Sequence, residues 1–279
     1  MRCTDFEYDG QLLSDYGFII CDFGDGAGTE TVSTGSPLNL NTIQMPHLNK
    51  FKIMSAQYGE AYSVTFQIAK TEDLNAATDT LFLNEFELSR LIRWLNRKEF
   101  HKFKAIYEDG EHAKTYYMGT FNVQTICLRG NVIGLELTLQ TNAPFGYYEP
   151  VEYEMTLTDA ADNCTICDTS DETGYIYPDI VEIECLGSGD LTICNSNDAR
   201  QTVIRNCMEG EVITLYGETK QITSSTEHLK LCNDFNYSFI RIVNRRENGN
   251  DENSNTFTAS LPCRIRLMYS PISKGKGVI

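Results

Sequence analysis

The sequence predicts a mainly β protein in two domains: an α+β N-terminal domain of β-sheet with one amphipathic helix, then a C-terminal β-sandwich. Three observations carry this reading. The chain has 279 residues, more than one core commonly fills. Only residues 84–98 show helical periodicity. Nearly everything else falls into short runs of β-branched and aromatic residues separated by turn residues.

The helix is specified at its start. Asn84 caps the first turn through its side-chain oxygen, and Glu87 reaches back to the Asn84 N–H, forming a capping box. Leu88, Leu91, Ile92 and Leu95 then recur at i, i+3, i+4 and i+7, with Trp94 beside them, so the helix needs a sheet to cover. Arg90, Arg93 and Arg97 lie on another face, and Arg97 and Lys98 near the last turn suit the helix dipole. That basic face reads either as a solvated flank or as a contact between copies of an acidic chain.

Before the helix, residues 16–21 form a continuous strand, and residues 24–36, rich in Gly, Thr and Ser, form an exposed loop or arm. Over residues 60–69, Tyr62, Val64, Phe66 and Ile68 alternate with Ala61, Ser63, Thr65 and Gln67, the pattern of a half-buried strand. After the helix, strands are expected over 102–107, 115–125 and 131–140, with Asp109-Gly110 as a turn. Two prolines and three aromatics between Thr141 and Pro150 place the domain boundary near residue 150. Residues 151–175 read as an acidic linker or insertion, and residues 176–279 as the sandwich. Its expected strands are 179–185, 190–195, 201–206, 211–216, 235–243 and 262–269, with an exposed loop at 245–255.

Composition excludes several functions. With 23 Lys plus Arg against 39 Asp plus Glu, the net charge of −16 repels phosphate backbones, so no sequence-specific nucleic-acid binding is expected. No apolar run follows Met1, and none later reaches membrane-spanning length, so the expectation is a soluble product of a cytoplasm with no membrane insertion. Ten cysteines in 279 residues fall well short of a disulfide scaffold. Cys164 and Cys167 supply half a tetrahedral zinc site and sit among acidic residues that read as a loop, so metal and cofactor are both expected to be absent. Phosphate-loop, zinc-protease, serine-hydrolase and EF-hand signatures are missing, and the four histidines at 47, 101, 112 and 228 show no ligand or triad spacing. No catalytic residue is assigned.

Four ordered stretches resemble the distal tail proteins of long-tailed, non-contractile bacteriophages. They are Phe6-Glu7-Tyr8-Asp9-Gly10 with Ser14-Asp15-Tyr16-Gly17, the helix end Ile92-Arg93-Trp94-Leu95, the junction Asn142-Ala143-Pro144-Phe145-Gly146-Tyr147, and the ending Cys263-Arg264-Ile265-Arg266-Leu267 with Ser270-Pro271-Ile272. Each is short, so the likeness rests on their order across nearly the whole chain. It departs where Asn142 and Ala143 replace a common cysteine or glutamate, and in the acidic stretch near Cys164.

The resemblance implies a non-enzymatic virion protein at the tail tip. It would be a homo-oligomer, usually a six-copy ring, joining the tail tube protein to a tail-tip or tail-associated protein, with the tape measure or a receptor-binding protein as further partners. The ring would leave a channel for DNA, and the outer domain would be a galectin-like sandwich. On that reading Gly24, Gly26, Gly28, Thr31 and Ser33 of the arm, with Arg90, Arg93 and Arg97, are the ring-interface candidates. Tyr175, Tyr177, Arg245 and Arg246 are the partner-facing or glycan-facing candidates. Two other readings stay open: a carbohydrate-binding module stacking sugars on Tyr175, Tyr177, Tyr216 and Tyr237, and a glycosidase, for which no carboxylate pair stands out.

Overall fold

A computed structural model describes residues 3–23, 35–47, 49–71, 82–159, 161–198, 200–245 and 253–274. The chain divides into two units, residues 1–147 with 274–279, and residues 148–273.

The first unit is built on a seven-stranded antiparallel sheet in the order β2-β1-β7-β8-β9-β6-β3. Its strands are β1 (Cys3–Tyr8), β2 (Gln11–Leu12), β3 (Phe18–Cys21), β6 (Ser63–Lys70), β7 (His101–Tyr107), β8 (Tyr117–Leu128) and β9 (Asn131–Thr141). A separate hairpin pairs β4 (Leu38–Gln44) with β5 (Phe51–Tyr58), and a short strand β10 (Gly146–Tyr147) follows β9. Alternation decides which side chains go inward: Tyr62, Val64, Phe66 and Ile68 are buried, as are Leu135, Leu137 and Leu139 of the neighbouring β9. Gly110, at φ +79°, makes the turn after β7.

Helix α1 (Glu85–Leu95) has both hydrogen bonds of the capping box, Glu87 N–H to Asn84 Oδ1 at 2.9 Å and Asn84 N–H to Glu87 Oε2 at 3.1 Å. Asn84→Ala should therefore lower stability by about 1 kcal/mol in urea unfolding. An unchanged midpoint would show the cap to be energetically idle.

Two expectations for the helix need correction. It ends at Leu95 with Asn96 as its C-cap, so Arg97 and Lys98 lie beyond the last turn. Its buried face is Leu91, Trp94 and Leu95, with Leu88 half-buried and Ile92 39% exposed. The stripe is rotated toward Trp94 because aromatic rings wait there: Trp94 lies parallel to Phe6 at 5.8 Å and Phe6 meets Phe66, Phe103 and Phe121.

In the second unit, a five-stranded sheet runs β11-β21-β14-β17-β18 and a four-stranded sheet runs β12-β20-β15-β16. The first contains β11 (Val151–Leu157), β14 (Ile180–Cys185), β17 (Val212–Tyr216), β18 (Gln221–Ser224) and β21 (Cys263–Tyr269). The second contains β12 (Cys164–Asp168), β15 (Gly189–Asn195), β16 (Gln201–Cys207) and β20 (Asn253–Ala259). Short strands β13 (Gly174–Ile176) and β19 (Ile242–Asn244) pair with each other. Inward residues of both sheets, among them Met155, Ile166, Ile183, Leu191, Phe257 and Leu267, form one core.

Residues 151–175 are therefore no linker, since they hold β11, β12 and β13. The acidity that suggested one belongs to an outer sheet face. Arg264 and Arg266 of β21 lie between Glu152 and Glu154 of β11 and Glu182 and Glu184 of β14, and each arginine bridges a glutamate on either side. Such exposed pairs contribute about 0–1 kcal/mol each, yet they let carboxylates sit in strands without unpaired repulsion. Nor is the Cys164–Cys167 pair in a loop. Strand alternation turns Cys164 inward and leaves Cys167 exposed, so residues three apart cannot converge on one ion. The expected strand over 235–243 shrinks to β19, while Phe235, Phe239 and Ile240 are buried without strand structure. The expected loop at 245–255 includes the start of β20.

Candidate functional site

The hairpin is the most unusual surface of the first unit. Every residue of β4 and β5 is exposed apart from half-buried Tyr58. Its register sets Leu38 opposite Tyr58, Leu40 opposite Ala56, Thr42 opposite Ile53 and Gln44 opposite Phe51, which gathers most of the apolar residues on one face. Asn39, Asn41, Lys52, Ser55 and Gln57 fall on the other together with a single apolar residue, Ile43, and Met54 sits at the register shift between the two. Phe51 is 68% exposed. A two-stranded ribbon is marginal alone in water, and an amphipathic one needs something against its apolar face. Its base is held by Gly59 N–H donating to Pro37 C=O at 2.8 Å, Ser36 Oγ donating to Pro144 C=O at 3.3 Å, and Tyr58 meeting Phe145 edge-on.

A second apolar spot lies on the outer face of α1. Phe86, 72% exposed, shares that face with Arg90 and Arg93 at i+4 and i+7. The three arginines do not form the single basic cluster that their spacing suggested. Arg90 covers the Tyr16 ring at 4.4 Å, and Tyr16 stacks on Trp94 at 4.3 Å. Arg93 Nε donates to Ser89 C=O at 3.3 Å. Arg97, outside the helix, turns back to Trp94 C=O at 3.0 Å and to Asp9 Oδ2 at 2.7 Å. Its charge is spent within the subunit. Gly24, Gly26, Gly28, Thr31 and Ser33 lie outside the described residues.

In the second unit, Tyr175 and Tyr177 come together with three cations that no local motif announced. Arg241 lies over the Tyr175 ring at 3.7 Å, Lys220 over the Tyr177 ring at 2.9 Å, and Arg200 Nη1 donates to Tyr177 Oη at 3.3 Å. Arg241 is fixed by a bidentate pair with Asp198. The backbone on either side of Val243 is clamped by buried Asn255, whose side chain accepts from Val243 N–H and donates to Val243 C=O. Asn195 Nδ2 donates to Arg241 C=O, adding a third tie. Gly217 is obligatory beside this cluster, because a Cβ there would stand 1.9 Å from Pro178 O. Burial pushes the Tyr177 hydroxyl up, but the hydrogen bond from Arg200, the charges of Lys220 and Arg200 and the hydrogen bond with Arg241 hold it below the ordinary tyrosine range. Arg245 is exposed just past β19, and Arg246 lies outside the described residues. The residues that sequence reasoning missed, Arg200, Lys220 and Arg241, sit in turns and loop ends with no periodic or motif signal.

A buried ionic cluster holds Glu211, His228 and Asp234. His228 Nδ1 lies 2.8 Å from Glu211 Oε1 and Nε2 lies 3.1 Å from Asp234 Oδ2, while Ser224 Oγ donates to Glu211 Oε1 at 2.6 Å. Both ring nitrogens face carboxylates, so neither is left to take a proton from a hydroxyl. The group is structural. Among the described residues no set of three ligating side chains is placed to hold a metal ion.

Two family models divide the chain between them. A phage tail protein N-terminal domain matches residues 1–143, and a phage tail C-terminal domain matches residues 145–269. Among solved structures, the Dit (gp 19.1) protein of SPP1, titled a paradigm of the hub adsorption apparatus in Gram-positive infecting phages, matches with a TM-score of 0.63 at 12% identity, over 96% of this chain and 99% of that one. A chain of the phage p2 baseplate in its activated conformation matches at 0.47 with 9% identity, over 96% and 98%. At that identity the first match establishes a shared fold. No curated protein matches the sequence.

Proposed function

Because the chain belongs to a family of phage tail proteins, with N- and C-terminal domain models that together match residues 1–143 and 145–269, we propose that it is a structural hub of the tail tip, a closed ring of copies joining the tail tube to tip proteins. The observation that carries this is the uncovered apolar face of the β4–β5 hairpin. Closed rings need two different complementary patches per subunit. The hairpin face is one and the outer face of α1 around Phe86 is the other, so that each subunit's hairpin lies on its neighbour's helix. Six copies is the number that the family resemblance suggests.

A channel follows from ring closure, and the chain's charge of −16 suits DNA passage. Acidic walls repel phosphates within a Debye length of about 8 Å in physiological salt. A non-enzymatic role rests on the phage tail family that both parts of the chain match.

Native mass spectrometry of the full chain should find one discrete oligomer, six copies on this reading. The paired substitution Phe51→Asp and Ile53→Asp, and separately Phe86→Asp, should convert it to monomer while leaving the far-ultraviolet circular dichroism spectrum unchanged. A wild-type chain that stays monomeric at high concentration would overturn the ring, and an oligomer indifferent to all three substitutions would overturn this interface.

A further inference from the structure

We infer that the Tyr175–Tyr177 surface of the second unit is a binding site for an anionic saccharide, held by Arg200 and Lys220 through its carboxylate or phosphate group and by Tyr175 through a sugar face.

Charge is the first support. Among the described residues, Arg200, Lys220 and Arg241 oppose a single carboxylate, Asp198, which Arg241 engages through two hydrogen bonds. Arg200 and Lys220 form no ion pair among the described residues, in a chain where acids outnumber bases 39 to 23. Of the carboxylates nearest in sequence, Asp179 is held above the usual carboxylate range by burial and then by the charge of Glu218. The lowered Tyr177 hydroxyl reports the same positive field.

Conformation is the second. Lys220 occupies the left-handed region at φ +54°, between β17 and β18, where glycine or asparagine is the ordinary choice. A lysine held there at a conformational cost, with its ammonium on an aromatic face, is a positioned charge rather than a waving one. Tyr175 is the third. It is 54% exposed although Arg241 covers one face of its ring, so most of the residue stays open to a ligand.

Chemistry selects a saccharide: two cations beside one open aromatic ring suit a ligand that joins an anionic group to a sugar face able to stack. One anionic group beside one stacking ring has the footprint of one or two sugar units.

Titration calorimetry on the full chain would use trigalacturonate and a phosphorylated maltotriose as anionic saccharides. Maltotriose, inorganic phosphate and a polyglutamate peptide serve as comparators. Both anionic sugars should bind, weaken as salt rises, and exceed each comparator by about tenfold or more. Arg200→Glu and Lys220→Glu should each weaken them by at least about tenfold. Tyr175→Ala should weaken the sugars and leave any phosphate binding unchanged. Thermal midpoints and the milder Arg200→Gln and Lys220→Gln variants separate lost binding from lost folding. Any of four results would overturn the site: no binding of either anionic sugar, equal binding of maltotriose, equal binding of phosphate or polyglutamate, or full affinity in the charge-reversed variants.

Discussion

Trp94→Ala is expected to destabilise the N-terminal unit by about 3–5 kcal/mol. Trp94 is the one tryptophan in the chain and lies at the centre of an aromatic stack. Tyr16 lies parallel to it at 4.3 Å and Phe6 at 5.8 Å, with Arg90 on the outer face of Tyr16. Its Nε1 donates to Tyr8 C=O at 3.1 Å in a buried bond that joins α1 to β1. Truncation removes the ring contacts, opens a cavity and strips a buried carbonyl of its donor. Trp94→Phe keeps a ring and loses the bond, so its cost should be smaller, about 1–3 kcal/mol. Urea unfolding followed by circular dichroism, which needs no tryptophan signal, measures both. A cost below about 1 kcal/mol for the alanine variant would mean that the helix is not anchored through Trp94.

Glu211→Gln should destabilise the second unit by about 3–5 kcal/mol, because it leaves the His228 imidazolium buried with only one of its two carboxylates. The pH dependence has a definite sign. Burial pushes His228 down, but its hydrogen bonds and charge interactions with Glu211 and Asp234 outweigh that and raise it above its ordinary value. Burial pushes Glu211 up, yet the donors Ser224, Met208 N–H and His228 bring it below the usual carboxylate range. A raised histidine contributes stability in full below its unfolded value of about 6.5, and loses it as pH rises through the folded value. A lowered glutamate contributes in full above its unfolded value of about 4.3, and loses it as pH falls through the folded one. The cluster therefore stabilises most between about pH 4.3 and 6.5. The thermal-midpoint gap between wild type and His228→Gln should be widest in that window and shrink toward pH 9. A gap that grows with pH would show that His228 is neutral in the folded protein.

The family match and the fold agree with the sequence reading because the signals behind both were local. Asn84 and Glu87 are three residues apart, and Tyr62 to Ile68 alternate within one strand, so backbone geometry alone decides what they form. The same holds for the charge balance and the short ordered motifs, which need no folding to be counted. What failed was the reading of polarity. By sequence alone the Val151–Leu157 segment reads as part of an acidic linker, because the partners of its outward Glu152 and Glu154, Arg266 and Arg264, lie more than a hundred residues away.

The two surfaces were decided only by tertiary structure. Residues 38–58 carry apolar side chains like any strand pair, and sequence offers no means of telling a ribbon laid on a core from one left open. Whether Arg97 faces a neighbouring subunit depends on where the helix stops and on Asp9, 88 positions earlier. The Tyr175–Tyr177 site assembles from β13, the turns holding Arg200 and Lys220, and the residue before β19. Sequence determines what each short segment prefers through interactions a few residues long. Which distant segments meet is set by strand pairing and chain closure over the whole domain, and both surfaces are products of that closure.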